Sequence, residues 1–194
     1  MREIILASKS PRRRELLENI GVRFHIVVSD VDESVVSKEL EPGLYVQELA
    51  LLKAAEVAKH CQKNVFVIGA DTVVVMDGEI LGKPRDRQDA YNMLKKLSGK
   101  THYVYTGISV VDTNDAHAVA AYESTAVTFK ELGEREINYY IDNYNVLDKA
   151  GSYAIQEYAG TFVKNINGDY FNIVGLPVCK LCTLVSDEYG EELV

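Results

Sequence analysis

The sequence predicts an α/β fold, a mixed sheet flanked by helices, and three observations predict it. Short apolar runs alternate with segments of helical spacing along most of the chain. Two long β-type runs, 102–111 and 118–129, are separated by the polar turn Asp112-Thr113-Asn114-Asp115, which adds an antiparallel hairpin to the pattern. No repeat, low-complexity tract or linker interrupts the 194 residues, so 1–194 is taken as a single domain, large enough to bury a substantial core.

The elements follow in order. A strand at 3–7 leads into a helix at 11–20, closed by Gly21, and a second strand at 23–28 precedes an acidic loop at 30–34. The helix over 43–60 carries Tyr45, Leu49, Leu52, Ala55 and Val57 on approximately one apolar face. Val65 to Ile68 is a buried-type strand, interrupted at Gly69-Ala70-Asp71, and a second apolar run continues from Thr72 to Val75. Met76-Asp77-Gly78-Glu79 is a hairpin turn, since Asp-Gly supplies the positive φ angles such turns require. Gly82-Lys83-Pro84 ends that hairpin and a helix covers 87–98. After the two long strands come a helix at 133–144, a polar loop at 145–160, a strand at 161–167 and a final helix at 174–186.

Composition excludes several classes. A formal net charge of −8 argues against a general nucleic-acid binder. No stretch is apolar for long enough to span a bilayer, and Ile4 to Ala7 is too brief for a secretory core, so a cytoplasmic location is expected. Cys179 and Cys182 form a lone CxxC with no second pair or nearby histidine, within an apolar run of helical spacing. A structural role is the better reading.

Chemistry concentrates first at Ser8-Lys9-Ser10-Pro11-Arg12-Arg13-Arg14. Proline suits the first helical position and Ser10 a cap, so unpaired backbone N–H groups face the same space as the hydroxyls and guanidiniums. Arginines at a helix start oppose the macrodipole, which suggests that they serve an anion. The alternative is a turn with a solvated basic first turn. Asp71 follows a buried run, where a carboxylate needs a metal, a cation or water, and Gly69 and Ala70 leave room for close approach. Asp30, Asp32 and Glu33 add a second acidic group, which alone reads as an ordinary solvated loop. Lys83 sits in a stiff turn suited to a phosphate. Lys53, among Leu51, Leu52, Ala54 and Ala55, is by default a snorkelling lysine. Jointly, carboxylates for a metal and cations for phosphates fit metal-assisted attack of water on phosphorus. Neither a GxxxxGK[ST] loop nor a Ser-His-Asp assembly is present.

These residues resemble the Maf family, the septum formation proteins that act as nucleoside triphosphate pyrophosphatases. The likeness runs nearly end to end, through Leu6-Ala7-Ser8-Lys9-Ser10-Pro11-Arg12-Arg13, Gly69-Ala70-Asp71-Thr72-Val73-Val74, Gly82-Lys83-Pro84-Arg85, Leu97-Ser98-Gly99, Thr106-Gly107, Tyr153-Ala154-Ile155-Gln156 and Asn172-Ile173-Val174-Gly175-Leu176-Pro177. The resemblance implies an inosine triphosphatase-like (Maf/Ham1) fold, an elongated mixed sheet with two lobes around a cleft. It implies Asp71 as the catalytic aspartate, with Ser8, Arg12, Arg13, Glu33, Lys53, Lys83 and Gln156 as further functional positions. Asp71 and Glu33 would hold a divalent cation, Mg²⁺ or Mn²⁺. Arg12, Thr72 and Gln156 match the branch that acts on dTTP and UTP, and Gln156 can both donate and accept toward a pyrimidine edge. Glu157 departs from the family, which usually carries glycine there. The alternatives are a non-enzymatic septum-inhibiting protein and a pyrophosphatase for 7-methyl-GTP or ITP. Relatives suggest a homodimer, for which Tyr139, Tyr140 and Tyr144 could form an exposed contact surface, and they could equally pack within the monomer.

Overall fold

In the computed structural model, which describes residues 2–194, the strands are β1 (Glu3–Leu6), β2 (His25–Ile26), β3 (Val65–Met76), β4 (Glu79–Leu81), β5 (Thr101–Asp112), β6 (Ala118–Phe129) and β7 (Val163–Asn167). They form one seven-stranded sheet in the order β2-β1-β3-β5-β6-β7, with β4 paired to β3 off that path. β1 runs parallel to β2 and β3, whereas the β3–β4 and β6–β7 pairs are antiparallel, so the sheet is mixed as expected. The helices are α1 (Pro11–Asn19), α2 (Pro42–Ala58), α3 (Arg87–Leu97), α4 (Glu134–Asn143), α5 (Tyr170–Val174) and α6 (Val178–Tyr189). No helix among the described residues is long and apolar enough to cross a membrane.

The chain forms two compact units. The first holds residues through Asp71 together with 106–123 and 175–194; the second holds 72–105 and 124–174. In the first, α2 lies directly on sheet backbone. A Cβ added to Gly69 of β3 would fall 2.1 Å from the Ala50 carbonyl oxygen, and one on Gly107 of β5 would fall 2.1 Å from that of Val46. Val46 and Ala50 are one helical turn apart, so the two glycines receive successive turns of the same helix. This rotates the buried face of α2 onto Tyr45, Val46, Leu49, Ala50, Ala54 and Val57. Leu52 and Ala55, expected on that face, are only partly buried.

In the second unit α4 buries Ile137, Tyr140 and Ile141, the spacing of one amphipathic face. Tyr140 is fully buried, its ring 5.2 Å from that of Tyr144 and 5.3 Å from that of Phe162. Of the two readings open for these tyrosines, Tyr140 therefore follows the one in which it packs within the monomer, whereas Tyr139 is about half exposed. The Asp77-Gly78 turn takes φ angles of 52° and 78°, as that dipeptide predicts.

Three expected elements differ. β3 is continuous through Gly69-Ala70-Asp71, because that glycine serves the approach of α2 and does not break the strand. The strand expected at 23–28 shortens to two residues at the sheet edge, although the Val27 N–H still reaches the Leu6 carbonyl at 3.2 Å. The final helix, expected over 174–186, begins only at Val178 as α6, because Gly175 at φ 121° and Pro177 cannot continue a helix, and an unexpected short helix, α5, precedes them.

Candidate active site

At the start of α1 Ser10 occupies the capping position, but its side chain makes no capping bond. Ser8 instead makes a local turn just before the helix: its Oγ accepts the Ser10 backbone N–H at 3.2 Å and Arg13 Nη1 at 3.1 Å, which leaves the first helical N–H groups without a side-chain cap. Arg13 Nη1 also donates to the Ala70 carbonyl at 2.9 Å, and Nε to that of Gly175 at 2.8 Å. Burial pulls the Arg13 guanidinium below its ordinary range; Asp71 and Glu33 oppose that pull, and Arg12 adds to it. The three arginines thus divide. Arg13 is fixed inward, Arg12 is half-buried, and Arg14 forms an exposed pair with Glu18 at 2.8 Å, the solvated alternative.

Asp71 lies inside β3, not beyond its end. Lys53, on the turn of α2 after the Ala50 contact, brings Nζ to 2.6 Å from Asp71 Oδ1 and 2.8 Å from Glu33 Oε1. The lysine expected to snorkel is instead drawn between two carboxylates, with the side chains of Lys53 and Asp71 13% and 15% exposed. A close helix-to-strand approach makes this reach possible: Gly69 is two residues before Asp71, and Ala50 three before Lys53. Burial, then the charges of Asp71 and Glu33, push the Tyr45 phenol up. Tyr45 was legible only as an apolar-face residue, yet it feels the charge of both acids. In the acidic loop Asp32 accepts the Ser34 N–H at 2.9 Å and caps the turn Glu33–Val35, so Glu33 is the acid that meets Lys53.

The described residues contain no cluster of three or more histidine, cysteine or acidic side chains able to hold a metal. Two acids converging on one cation nevertheless match a hard divalent ion, which is commonly held by one or two carboxylates with substrate phosphates and water. The donor set fits Mg²⁺ or Mn²⁺ and not a closed protein cage.

The remaining expected residues belong to the second unit: Thr72, half-buried in β3, Lys83, exposed between β4 and α3, and Gln156, exposed in the segment after α4. The Gly151 N–H donates to the Gly82 carbonyl at 3.0 Å, tying the Lys83 turn to the Gln156 segment. Gly151 takes φ 63°, and a Cβ there would fall 2.8 Å from the Val74 side chain. Glu157, the departure from the family, reaches Lys149 Nζ at 3.5 Å, and Lys149 is 3% exposed.

An acid pair around one ammonium, beside a helix start and on a mixed sheet, is the equipment of an α/β protein built to handle polar, charged ligands. The chain belongs to the Maf family, whose profile, described as Maf-like protein, matches residues 3–188. It is 50% identical over 192 residues to a protein of Caldanaerobacter subterraneus subsp. tengcongensis named dTTP/UTP pyrophosphatase, spanning 99% of this chain and 92% of that relative. A protein of the same name from Ruminiclostridium cellulolyticum is 46% identical over the full length of both. Among solved structures, the Staphylococcus aureus Ham1 protein is similar with a TM-score of 0.46 and 17% identity, covering 66% of this chain and 71% of that one.

Proposed function

We propose that the protein hydrolyses nucleoside triphosphates, dTTP and UTP foremost, to the monophosphate and pyrophosphate. The observation that carries this reading is the Lys53 ammonium held between Asp71 and Glu33. Near full-length similarity to relatives named dTTP/UTP pyrophosphatase supports it.

The residues divide the work. Water attacks the α-phosphorus, its oxygen forms the new P–O bond, and the bond to the bridging oxygen breaks, so pyrophosphate departs with the electron pair. Asp71 takes the proton of the attacking water as general base. Lys53 keeps the Asp71 carboxylate oriented and, with Lys83, counters charge that develops on the phosphates. Ser8 and Arg13 fix the start of α1, whose N–H groups, with the Arg13 guanidinium, face the phosphate chain. Asp71 and Glu33 would hold the divalent cation, Mg²⁺ or Mn²⁺, whose charge when bound stabilises negative phosphate oxygens. Arg12, Thr72 and Gln156 read the base, the Gln156 amide donating and accepting toward a pyrimidine edge.

A nucleotide panel tests this. Pyrophosphate release from dTTP, UTP, CTP, 7-methyl-GTP and ITP is measured with and without Mg²⁺. The expected outcome is Mg²⁺-dependent release, fastest from dTTP and UTP. Absence of release from every nucleotide rules out the enzyme, and preference for 7-methyl-GTP or ITP rules out the pyrimidine assignment.

A further inference from the structure

Within the second unit, residues 153–157 form a turn in which each residue except Gln156 is anchored. The Glu157 N–H returns to the Ala154 carbonyl at 3.1 Å, leaving Ile155 and Gln156 as the two central residues. Ile155 is buried and Gln156 exposed. Tyr153 Oη lies 2.8 Å from His102 Nε2, and the two rings meet edge-on with centroids 5.5 Å apart. Phe129 packs against both, at 4.8 Å from the His102 ring and 4.9 Å from the Tyr153 ring. The Ala154 N–H is accepted by Tyr140 Oη at 3.2 Å. At the far end Glu157 turns to the buried Lys149.

We propose that His102, Tyr153 and Tyr140 are positioning residues for Gln156, and that their buried hydroxyl and imidazole contacts set the enzyme's preference among bases. The proposal rests on the assignment of Gln156 as a base reader made above. An amide discriminates bases only if its carbonyl and NH₂ are held in register with the base edge, and displacement of about 1 Å is enough to lose that alignment. A turn fixed by a buried donor–acceptor pair below Tyr153 and a second one on the Ala154 backbone holds that register without touching the nucleotide. Burial keeps the imidazole neutral near neutral pH, since it lowers the His102 pKa to about 4, so this anchor is a neutral hydrogen bond.

The test removes each hydroxyl while keeping each ring. Tyr153→Phe and Tyr140→Phe are compared with the parent protein for kcat and KM on dTTP and CTP, for inhibition by tripolyphosphate, and for melting temperature. Tripolyphosphate carries the phosphate contacts and lacks a base. The expected result is a rise of about tenfold in KM for dTTP, kcat within about twofold, and a fall of about tenfold in the dTTP-to-CTP ratio of kcat/KM. Tripolyphosphate inhibition stays within about twofold. An unchanged base ratio in folded variants overturns the proposal, as does a parallel loss of tripolyphosphate inhibition, which would mark general loosening. Should Tyr153→Phe fail to fold, Tyr140→Phe decides alone. A parent protein with no activity on any triphosphate overturns the underlying function, whereas an active parent with unaltered variants overturns only this positioning role.

Discussion

The acid pair of the first unit and the Gln156 turn of the second are held in place by opposite means. Around Asp71 and Glu33 the placement is ionic: one ammonium satisfies two carboxylates, and two glycines let the helix that carries it sit on sheet backbone. Around Gln156 it is mostly neutral: hydroxyls, an imidazole and aromatic edges fix a turn whose displayed side chain bears no charge, and the one ion pair, Glu157 with Lys149, closes its far end. The difference teaches which groups must tolerate change. Under the proposed function, charges that meet phosphates and a cation need partners that can be exchanged, whereas a base reader needs a frame held chiefly by neutral contacts. Salt screens the first more than the second.

The largest effect is expected at the ionic site. Asp71→Asn keeps shape and volume while removing the base, and turnover of dTTP should fall by about 10³-fold with the melting curve nearly unchanged. Steady-state pyrophosphate release and thermal denaturation, measured together, check both halves; retained activity would take Asp71 out of the reaction. Next comes Gly69→Ala, whose methyl has no room beside the Ala50 carbonyl. It should cost about 3 kcal/mol of stability, or about 6–12 °C in melting temperature, and should also lower kcat by lifting Lys53 away from Asp71. Unaltered stability would show that α2 has freedom to retreat.

The smallest effect separates the neutral frame from the ionic one. His102 has a pKa of about 4 when folded against 6.5 for an unperturbed histidine. As pH falls the unfolded chain therefore takes the proton first, and this contribution is complete above pH 6.5 and declines from there toward pH 4. At pH 5 the loss should be about 2 kcal/mol. Urea denaturation at pH 7 and pH 5, compared between the parent protein and His102→Asn, reads it: the variant should show a pH-dependent loss smaller by that amount. An equal loss in both would mean that His102 is protonated in the folded state.

Much of this was legible in the chain. Asp-Gly announced the hairpin, Pro11 the start of α1, and the short motifs pointed to Asp71, Lys83 and Gln156, while Glu33 and Lys53 came as functional positions only from the family resemblance. What could not be read was long-range. Lys53 looks like a lysine covering apolar surface until α2 is placed on β3, and nothing local to residues 51–55 reports that distance. Gly69 looked like punctuation in a strand because glycine usually weakens one, while here its missing side chain admits a helix. Tyr140 looked available for a partner because tyrosine suits surfaces, and only the inward face of α4 decides otherwise. Ser10 fills the cap position by type but makes no capping bond, and the neighbouring Ser8 hydroxyl is taken up by the Ser10 N–H and by Arg13.

The Arg13 side chain ties together segments of very different age in a growing polypeptide. It bonds Ala70, 57 positions downstream, and Gly175, 162 positions downstream. While synthesis runs from the N-terminus, the triplet Ser8, Arg13 and Ala70 is available early, but the second carbonyl arrives only when most of the chain has left the ribosome. A nascent or prematurely terminated product lacking Gly175 thus has all of Asp71, Glu33 and Lys53 and still misses the last brace on the helix start.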